Sequence, residues 1–237
     1  AAEEPEIVNL GEFLIAMGAN ISGLGTKHIT IEGSSELHPT EFTITPDRIE
    51  TATFLTAGLI TRGELTVTRC QPEHSHEVLA KLKEAGAKLS VELNSIHLKS
   101  AGAIQPVDVT TAIYPGYPTD MQAQWIALMS VANGRSVITD MIYPDRFTHV
   151  PELRRLGADI VQKNNSAFVK GVAKLKGAPV MSTDLRASAS LVLSALAAEG
   201  VSDIHRVYHI DRGYERIEEK LKKLGAKIER TDDGKMY

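Results

Sequence analysis

The apolar positions of this chain follow a helical period in some segments and a strand-like period in others, and this alternation repeats along the sequence. Amphipathic segments with helical spacing end at four Gly-Ala dipeptides, each followed by a strand-like stretch. These dipeptides are Gly18-Ala19, Gly86-Ala87, Gly157-Ala158 and Gly225-Ala226. Glycine favours the left-handed position just after a helix, so each dipeptide predicts a helix end. Their regular spacing of about seventy residues indicates an internal structural repeat.

A second helix lies upstream in each repeat unit, and all three of these helices start at an aspartate. The predicted ranges are 47–60, 120–132 and 184–198. The third, DLRASASLVLSALAAEG, is apolar on nearly all sides, which predicts burial. A β-type run follows each helix (ELTVTR, RSVITDMI and VSDIHRV), and a hairpin-like pair of strands follows the Gly-Ala dipeptide. Each unit therefore reads as a leading strand, a helix, a strand, a helix and two strands.

Units of this length cannot bury their own apolar helices, so we expect them to pack around a shared helical core with the sheets outside. This arrangement predicts an α/β fold of the α+β type. Residues 45–237 hold three units, whereas residues 1–44 hold only the last helix and strands of a preceding unit. That helix is predicted from Glu6 to Ala19, with Ile7, Leu10, Leu14 and Met17 on one face. We therefore expect a fragment of a longer protein.

Composition and charge narrow the classes of function. The chain has 43% hydrophobic and 24% charged residues, and no apolar run approaches the roughly 20 residues of a membrane span. A net charge of −4 provides no basic stripe for a polyanion, so neither nucleic acid nor membrane is expected as a partner. The single cysteine, Cys70, excludes an internal disulfide, and the acidic N-terminus does not resemble a secretory signal. The expected location is the cytoplasm.

Arginines beside predicted helix starts are the main chemical signal. Arg186 lies two residues into the third apolar helix, where free backbone N–H groups and the helix dipole favour an anion. Arg212, in HIDRGYERIEEKL, stands at the start of the next amphipathic helix, and Arg146 occupies the equivalent place one unit earlier. The core face predicted for the helix after Arg212 is Tyr214, Ile217, Leu221 and Leu224. Three arginines at comparable points of a repeat predict a shared concave mouth for a carboxylate or phosphate.

Aspartates at the same helix starts have a simpler interpretation. Asp47, Asp120, Asp184 and Asp211 are each compatible with stabilising a helix N-terminus alone. Arginine in a first turn is harder to explain structurally, because the dipole repels a cation there. The histidines show no metal-ligand spacing, and no phosphate-cradling glycine loop is present. No metal and no cofactor are therefore expected.

Four segments resemble one known family. They are YPGYPTDMQAQ (114–124), DRFTHVPELRRLGA (145–158), TDLRASASLVLSALAAEG (183–200) and HIDRGYERIEEKLKKLGA (209–226). These stretches closely resemble those of the bacterial UDP-N-acetylglucosamine 1-carboxyvinyltransferases, which belong to the enolpyruvyl transferases. The resemblance implies two domains, each an inside-out α/β barrel of three units with buried helices and outer sheets. It assigns residues 1–44 to the end of the first domain and residues 45–237 to the second.

The resemblance also implies a reaction. Enolpyruvyl would pass from phosphoenolpyruvate to the 3-hydroxyl of UDP-N-acetylglucosamine, with release of phosphate, as the first committed step of peptidoglycan synthesis. Matched residue by residue, Asp120 corresponds to the carboxylate that helps deprotonate the sugar hydroxyl, and Arg186 and Arg212 to the arginines that hold phosphoenolpyruvate. Arg212 is thereby implied to be catalytic together with Asp120.

Further substrate-binding residues follow from the same match. They are Ile142 at the nucleotide-sugar, Tyr143 beside the uracil, the cleft arginine Arg146, and Asp184 and Leu185 flanking the ligand. The other half of the active site would belong to a missing N-terminal domain, and Cys70 does not match the family's catalytic cysteine. The chain alone is therefore expected to be inactive. A 5-enolpyruvylshikimate-3-phosphate synthase-like enzyme and a non-catalytic ligand-binding module remain as alternatives.

Overall fold

The computed structural model describes residues 2–33 and 36–231. Helix α1 (Pro5–Ala16) starts at a proline, whose fixed φ suits a first helical position. A short antiparallel hairpin follows, formed by β1 (Asn20–Ser22) and β2 (Thr30–Glu32). Between helix and hairpin, Gly18 has a positive φ of 105°, as its predicted place after a helix end requires.

The first complete repeat unit forms a three-stranded antiparallel sheet with two helices. Its elements are α2 (Arg48–Ile60), β3 (Glu64–Thr68), α3 (His76–Glu84), β4 (Ala87–Val91) and β5 (Ser95–Ser100). Strand β5 lies in the middle and pairs with both β3 and β4. The strands of the predicted hairpin are therefore neighbours in the sheet.

The second unit repeats this plan and adds the predicted leading strand. Its elements are β6 (Val109–Thr110), α4 (Gln122–Met129), β7 (Arg135–Thr139), α5 (Val150–Arg155), β8 (Asp159–Lys163) and β9 (Ser166–Lys170). The sheet order is β6-β7-β9-β8, with β6 parallel to β7 and the other pairs antiparallel. Strands β7, β9 and β8 thus reproduce the order of β3, β5 and β4.

The third unit has shorter strands. Its elements are β10 (Leu175–Lys176), β11 (Val180–Met181), α6 (Leu185–Ala197), β12 (Ala198–Glu199), β13 (Ile204–His205) and α7 (Ile217–Lys223). Strand β11 pairs in parallel with β13, as β6 does with β7, and β10 pairs in parallel with β12. No strand forms in residues 226–231, and the rest of the stretch after Gly225-Ala226 lies outside the described residues.

The helices α2, α4 and α6 pack against one another at the centre of the three units. Leu55, Trp125 and Leu191, one from each helix, are fully buried at 0% exposure. The sheets and the helices α3, α5 and α7 surround this bundle. The predicted α/β fold, with buried helices inside and sheets outside, is therefore confirmed. None of the helices in the described part of the chain is long and apolar enough to cross a membrane.

Several predicted boundaries and faces were wrong. The predicted helix 120–132 is confined to α4, after a 3-10 turn at Thr119–Met121. Arg212 does not start a helix, because residues 207–212 form a 3-10 turn and α7 begins only at Ile217. Leu224 follows the last residue of α7 and is 52% exposed, so it lies outside the core face.

The apolar face predicted for α1 is also incompletely covered. Leu10 is 52% exposed, and Ile15 is exposed on the same helix. Within the described residues, the hydrophobic core cluster has no member before Ile49. Helix α1 is instead connected to the units by polar contacts, including a two-bond pair in which Arg48 donates to the Glu6 carboxylate at 2.9 and 3.1 Å.

Candidate active site

The N-termini of α2, α4 and α6 are structurally equivalent points of the repeat. Each has an aspartate at the predicted helix start: Asp47, Asp120 and Asp184. In all three, the side chain four residues further on donates a hydrogen bond to the aspartate's backbone carbonyl, at 2.6 to 2.9 Å. These donors are Thr51, Gln124 and Ser188. This shared hydrogen bond shows that the three aspartates occupy equivalent positions of the repeat. Differences in the hydrogen bonds of their carboxylates therefore indicate different roles.

Two of these carboxylates cap their helices. Asp47 accepts from the backbone N–H groups of Ile49 and Glu50 at 2.7 and 3.0 Å. Asp184 accepts in the same way from Arg186 and Ala187 at 2.8 and 2.9 Å. These bonds satisfy backbone donors that a helix N-terminus otherwise leaves unpaired. The capping interpretation is therefore confirmed at Asp47 and Asp184.

Asp120 does not cap its helix. Its carboxylate lies between two guanidinium groups: Arg146 Nη1 donates to Oδ1 at 2.6 Å, and Arg186 donates to Oδ2 through Nη2 at 2.7 Å and Nε at 3.1 Å. The Arg186 side chain is 11% exposed, and that of Asp120 is 36% exposed. The structure thus brings together three residues that the sequence singled out from three separate segments.

The two arginines hold Asp120 in its ionised form. Burial alone would raise the pKa of Asp120, because it removes water from the charged carboxylate. The charges of Arg186 and Arg146 and their hydrogen bonds outweigh burial and lower the pKa below its ordinary value. In the folded protein the ionised form therefore contributes stability above the unfolded-state pKa, and this contribution is lost as the pH falls through the folded-state pKa.

The Tyr214 hydroxyl fixes Arg186 from behind. It accepts from Arg186 Nη1 at 3.3 Å and from Gln124 Nε2 at 3.4 Å, and it lies 2.8 Å from Thr53 Oγ1. These partners come from α6, α4 and α2, so one buried hydroxyl connects all three central helices. Tyr214 is 0% exposed. The helical spacing of Tyr214 predicts its place on a core face but not this polar role, because spacing says nothing about where a hydroxyl lies.

A cavity of about 390 Å³ lies beside this cluster. Asp120 and Arg186 line it on one side, and residues 44–49 with the first turns of α1 line the other. Glu6 is among the lining residues, and its pKa is lowered because the bond to Arg48 and its charge outweigh the opposing effect of burial. The cavity is therefore lined by both acidic and basic groups, and it is large enough for a small polar metabolite.

The loop after β7 carries the remaining predicted residues near Arg146. Ile142 and Tyr143 are 42% and 57% exposed, and the Arg146 guanidinium lies 5.9 Å from the centre of the Tyr143 ring. The carbonyl of Ile142 accepts no hydrogen bond from any described residue and is free to contact a ligand. Apolar and aromatic side chains therefore stand exposed beside the Asp120 cluster, where they can bind a flat ring.

The structure does not bring Arg212 into this cluster. Its side chain is exposed and makes no hydrogen bond or ion pair with the described residues. Its neighbour Gly213 packs closely on α6, since a Cβ atom at Gly213 would lie 2.9 Å from Leu185 Cδ2. Leu185 is thus packed inward as a support for this turn. The expected contact of Leu185 with a ligand stays a prediction, as does that of Asp184.

The described residues form no candidate metal site. No group of three or more His, Cys, Asp or Glu side chains there is arranged to hold an ion. Cys70 is buried, and burial raises the pKa of its thiol above the ordinary value.

Comparison with known proteins identifies the family of this chain. The family profile of EPSP synthase (3-phosphoshikimate 1-carboxyvinyltransferase) matches residues 1–221. This chain belongs to the EPSP synthase family. The predicted enolpyruvyl-transferase-like architecture is confirmed.

Several relatives within this family are highly similar in sequence. The UDP-N-acetylglucosamine 1-carboxyvinyltransferase of Chlorobium chlorochromatii is 57% identical over 230 residues, covering 97% of this chain and 54% of the relative. The enzyme of the same name from Desulfosudis oleivorans is 53% identical and covers 98% of this chain and 55% of the relative. The chain therefore spans about half the length of the curated relatives it matches.

Solved structures of the EPSP synthase family show the same architecture. The enolpyruvyl transferase NikO from Streptomyces tendae superposes with a TM-score of 0.82 at 29% identity, covering 94% of this chain and 54% of that one. EPSP synthase from Acinetobacter baumannii has a TM-score of 0.72 at 20% identity, covering 93% of this chain and 55% of that one. The second match supports the fold alone.

Proposed function

We propose that this chain is the C-terminal half of a UDP-N-acetylglucosamine 1-carboxyvinyltransferase. The observation that carries the proposal is Asp120, freed from helix capping and held between Arg146 and Arg186 beside a cavity. The names of the relatives at 53% to 57% identity support this reaction over that of EPSP synthase itself. The pathway would be peptidoglycan synthesis, and the location the cytoplasm.

The proposed reaction forms a C–O bond between the sugar 3-hydroxyl and C2 of phosphoenolpyruvate, and breaks the C–O bond to phosphate. The hydroxyl must lose its proton as its oxygen attacks, and an ionised carboxylate within hydrogen-bond reach can accept it. Asp120 is suited to this role by position rather than by basicity, since the arginines lower its pKa. When substrate anions bind Arg186, its positive charge stabilises the ionised Asp120 carboxylate less. The pKa of Asp120 then rises while the hydroxyl proton is being transferred.

Phosphoenolpyruvate carries a carboxylate and a phosphate, both of which match the planar guanidinium fork. Arg186 is rigid because Tyr214 and Asp120 fix it, so little side-chain entropy would be lost on binding. Arg212 is exposed and unpaired within the described residues, so it would serve as a second anion ligand that closes on the substrate. Ile142 and Tyr143 would contact the nucleotide-sugar.

A domain beyond this chain would complete the site. The partly exposed apolar face of α1 and the half-length match to the relatives support this partner. The term full-length enzyme denotes this chain together with the preceding half that such relatives carry. The 237-residue chain alone is expected to show no turnover, because the general acid and part of the anion site would belong to the preceding half.

Phosphate release by the full-length enzyme tests the proposal. With UDP-N-acetylglucosamine and phosphoenolpyruvate we expect turnover, and with shikimate 3-phosphate in place of the nucleotide-sugar we expect none. Calorimetry with the same two acceptors on the 237-residue chain separates binding from turnover. Turnover with shikimate 3-phosphate only would assign the chain to the other reaction of the family, and binding without turnover in the full-length enzyme would favour a non-catalytic module.

A further inference from the structure

A buried carboxylate next to the candidate site has no part in the proposed reaction. Asp140 follows β7 directly and is 0% exposed. No Lys, Arg or His nitrogen of the described residues lies within the 4.0 Å of an ion pair with it. A buried charge without a counter-ion is costly unless hydrogen bonds satisfy it. The hydrogen-bond partners of Asp140 therefore indicate what this carboxylate does.

Asp140 accepts four hydrogen bonds through its two oxygens. Oδ1 accepts from the backbone N–H groups of Ile142 and Tyr143, at 3.0 and 2.9 Å, and from Thr111 Oγ1 at 2.7 Å. Oδ2 accepts from Thr119 Oγ1 at 2.6 Å. One oxygen thus holds the loop proposed to contact the nucleotide-sugar, and the other holds the residue that precedes Asp120.

Arg146 connects Thr119 to the Asp120 carboxylate. Thr119 Oγ1 accepts from Arg146 Nη1 at 3.4 Å, and the same nitrogen donates to Asp120 Oδ1 at 2.6 Å. A continuous hydrogen-bonded path therefore runs from the loop amides through Asp140, Thr119 and Arg146 to the Asp120 carboxylate. The residues on this path come from two segments about twenty residues apart in the chain.

We propose that Asp140 is a positioning residue that sets the nucleotide-sugar loop in register with Asp120. This role rests on the proposed function. Its Oδ1 fixes the backbone of Ile142 and Tyr143, and therefore the place of the sugar nucleotide. Its Oδ2 orients Thr119 and so aligns Arg146 and Asp120 with the hydroxyl to be deprotonated. Small displacements at such a site reduce rate strongly because reaction requires a narrow range of geometry.

Different substitutions separate these two effects in the full-length enzyme. Asp140→Ala should raise the KM for UDP-N-acetylglucosamine about tenfold or more and also lower kcat, since the loop and Thr119 are both released. Thr119→Val removes only the second link, and should lower kcat several-fold with the nucleotide-sugar KM within twofold of wild type. Thr119→Ser keeps the hydroxyl and should restore kcat.

Asp108 provides a control carboxylate that contacts the same strand. It is exposed, and it accepts from Val137 N at 2.7 Å on β7 but makes no hydrogen bond to the amides of Ile142 and Tyr143. Asp108→Ala should lower the melting temperature but leave both kinetic constants unchanged. If Asp140→Ala behaves as this control does, losing stability with an unchanged KM, then Asp140 is structural and the proposal is wrong.

Two further measurements test the positioning role independently of the alanine variant. Should Asp140→Ala not fold, Asp140→Asn retains an oxygen for the loop amides but presents an amide N–H to Thr119, and should lower kcat as Thr119→Val does; an unchanged kcat would overturn the proposal. Amide hydrogen exchange on the 237-residue chain should be faster at Ile142 and Tyr143 in Asp140→Ala, slightly faster in Asp140→Asn because a neutral amide oxygen is a weaker acceptor, and unchanged in Thr119→Val. This exchange readout needs no turnover, so it distinguishes failure of the positioning role from failure of the proposed function.

Discussion

The N-termini of α4 and α6 occupy equivalent places in successive repeat units, yet their aspartates do different work. Asp184 uses one oxygen to accept from two backbone N–H groups of α6, while Thr148 donates to the other at 3.3 Å. Asp120 makes no bond to the N-terminal amides of α4 and instead pairs with Arg146 and Arg186. The repeat therefore determines where the carboxylate lies. The surrounding side chains determine whether it caps the helix or pairs with arginines of the candidate site.

The largest effect is expected when Asp120 and Asp184 are each replaced by a neutral residue. In the full-length enzyme, Asp120→Asn should lower kcat on the order of 10²-fold or more, with a smaller change in nucleotide-sugar binding, because the amide keeps the shape but cannot accept the proton. In Asp184→Asn, asparagine caps as well as aspartate does, so any loss of substrate binding there would report the ligand contact predicted for Asp184 rather than a loss of capping. An Asp120→Asn enzyme with near-normal kcat would exclude proton transfer by this residue.

Replacing the arginines of the site should have the next largest effect. Arg186→Lys keeps the positive charge but loses the planar guanidinium that can form two parallel hydrogen bonds to an anion. It should weaken phosphoenolpyruvate binding about tenfold, as measured by calorimetry or KM. Arg212→Lys should weaken it similarly without a change in melting temperature, because its side chain has no partner in the described residues to lose. Arg154→Lys is a control at a structural arginine that donates to the Ile160 carbonyl at 2.8 Å. Normal phosphoenolpyruvate binding in Arg186→Lys or Arg212→Lys would remove that residue from the site.

A smaller effect is expected at Tyr214, which holds Arg186 from within the core. Tyr214→Phe removes one hydrogen-bond partner of the guanidinium, and should weaken phosphoenolpyruvate binding about three- to tenfold while costing about 1 kcal/mol of stability. Tyr117→Phe is the control, because the buried Tyr117 hydroxyl has no partner among the described residues. If both phenylalanine variants bind phosphoenolpyruvate alike, Tyr214 only fills the core.

The smallest expected effect concerns helix capping itself. Asp47→Ala should cost about 1 kcal/mol in the free energy of unfolding, since two backbone donors of α2 lose their acceptor. Asp184→Ala should cost a similar amount at α6. Chemical denaturation measures both losses. An Asp120→Ala variant destabilised by the same mechanism, with exposure of the α4 amides to exchange, would mean that the three aspartates do not differ.

Much of the fold could be predicted from local pattern. The helix starts at Asp47 and Asp184 and the positive-φ glycines at Gly86 and Gly157 follow from capping chemistry that involves only near neighbours. The start of α4 could not be found this way. Its 3-10 turn places Asp120 between two arginines that lie 26 and 66 residues further along the chain.

Part of the site could also be predicted from the sequence. Residue type and helix position singled out Arg146 and Arg186, whereas only the family resemblance distinguished Asp120 from the other aspartates at helix starts; the structure places all three in contact. The roles of Tyr214 and Asp140 depend on tertiary contacts, such as the Thr53 to Tyr214 bond across 161 residues, which no local spacing reveals. The domain assignment of residues 1–44 stays a prediction, although the core cluster contains none of the described residues before Ile49.

The most direct test is the titration of the Asp120 carboxylate by carbon-detected NMR in the 237-residue chain. Burial would raise the pKa of Asp120, but we expect a value below the ordinary one because Arg186 and Arg146 dominate. Arg146→Gln should move the pKa of Asp120 upward, since one of the two charges is removed. An ordinary pKa that does not respond to Arg146→Gln would contradict the account, because Asp120 would then not be the arginine-held carboxylate on which the proposed chemistry depends.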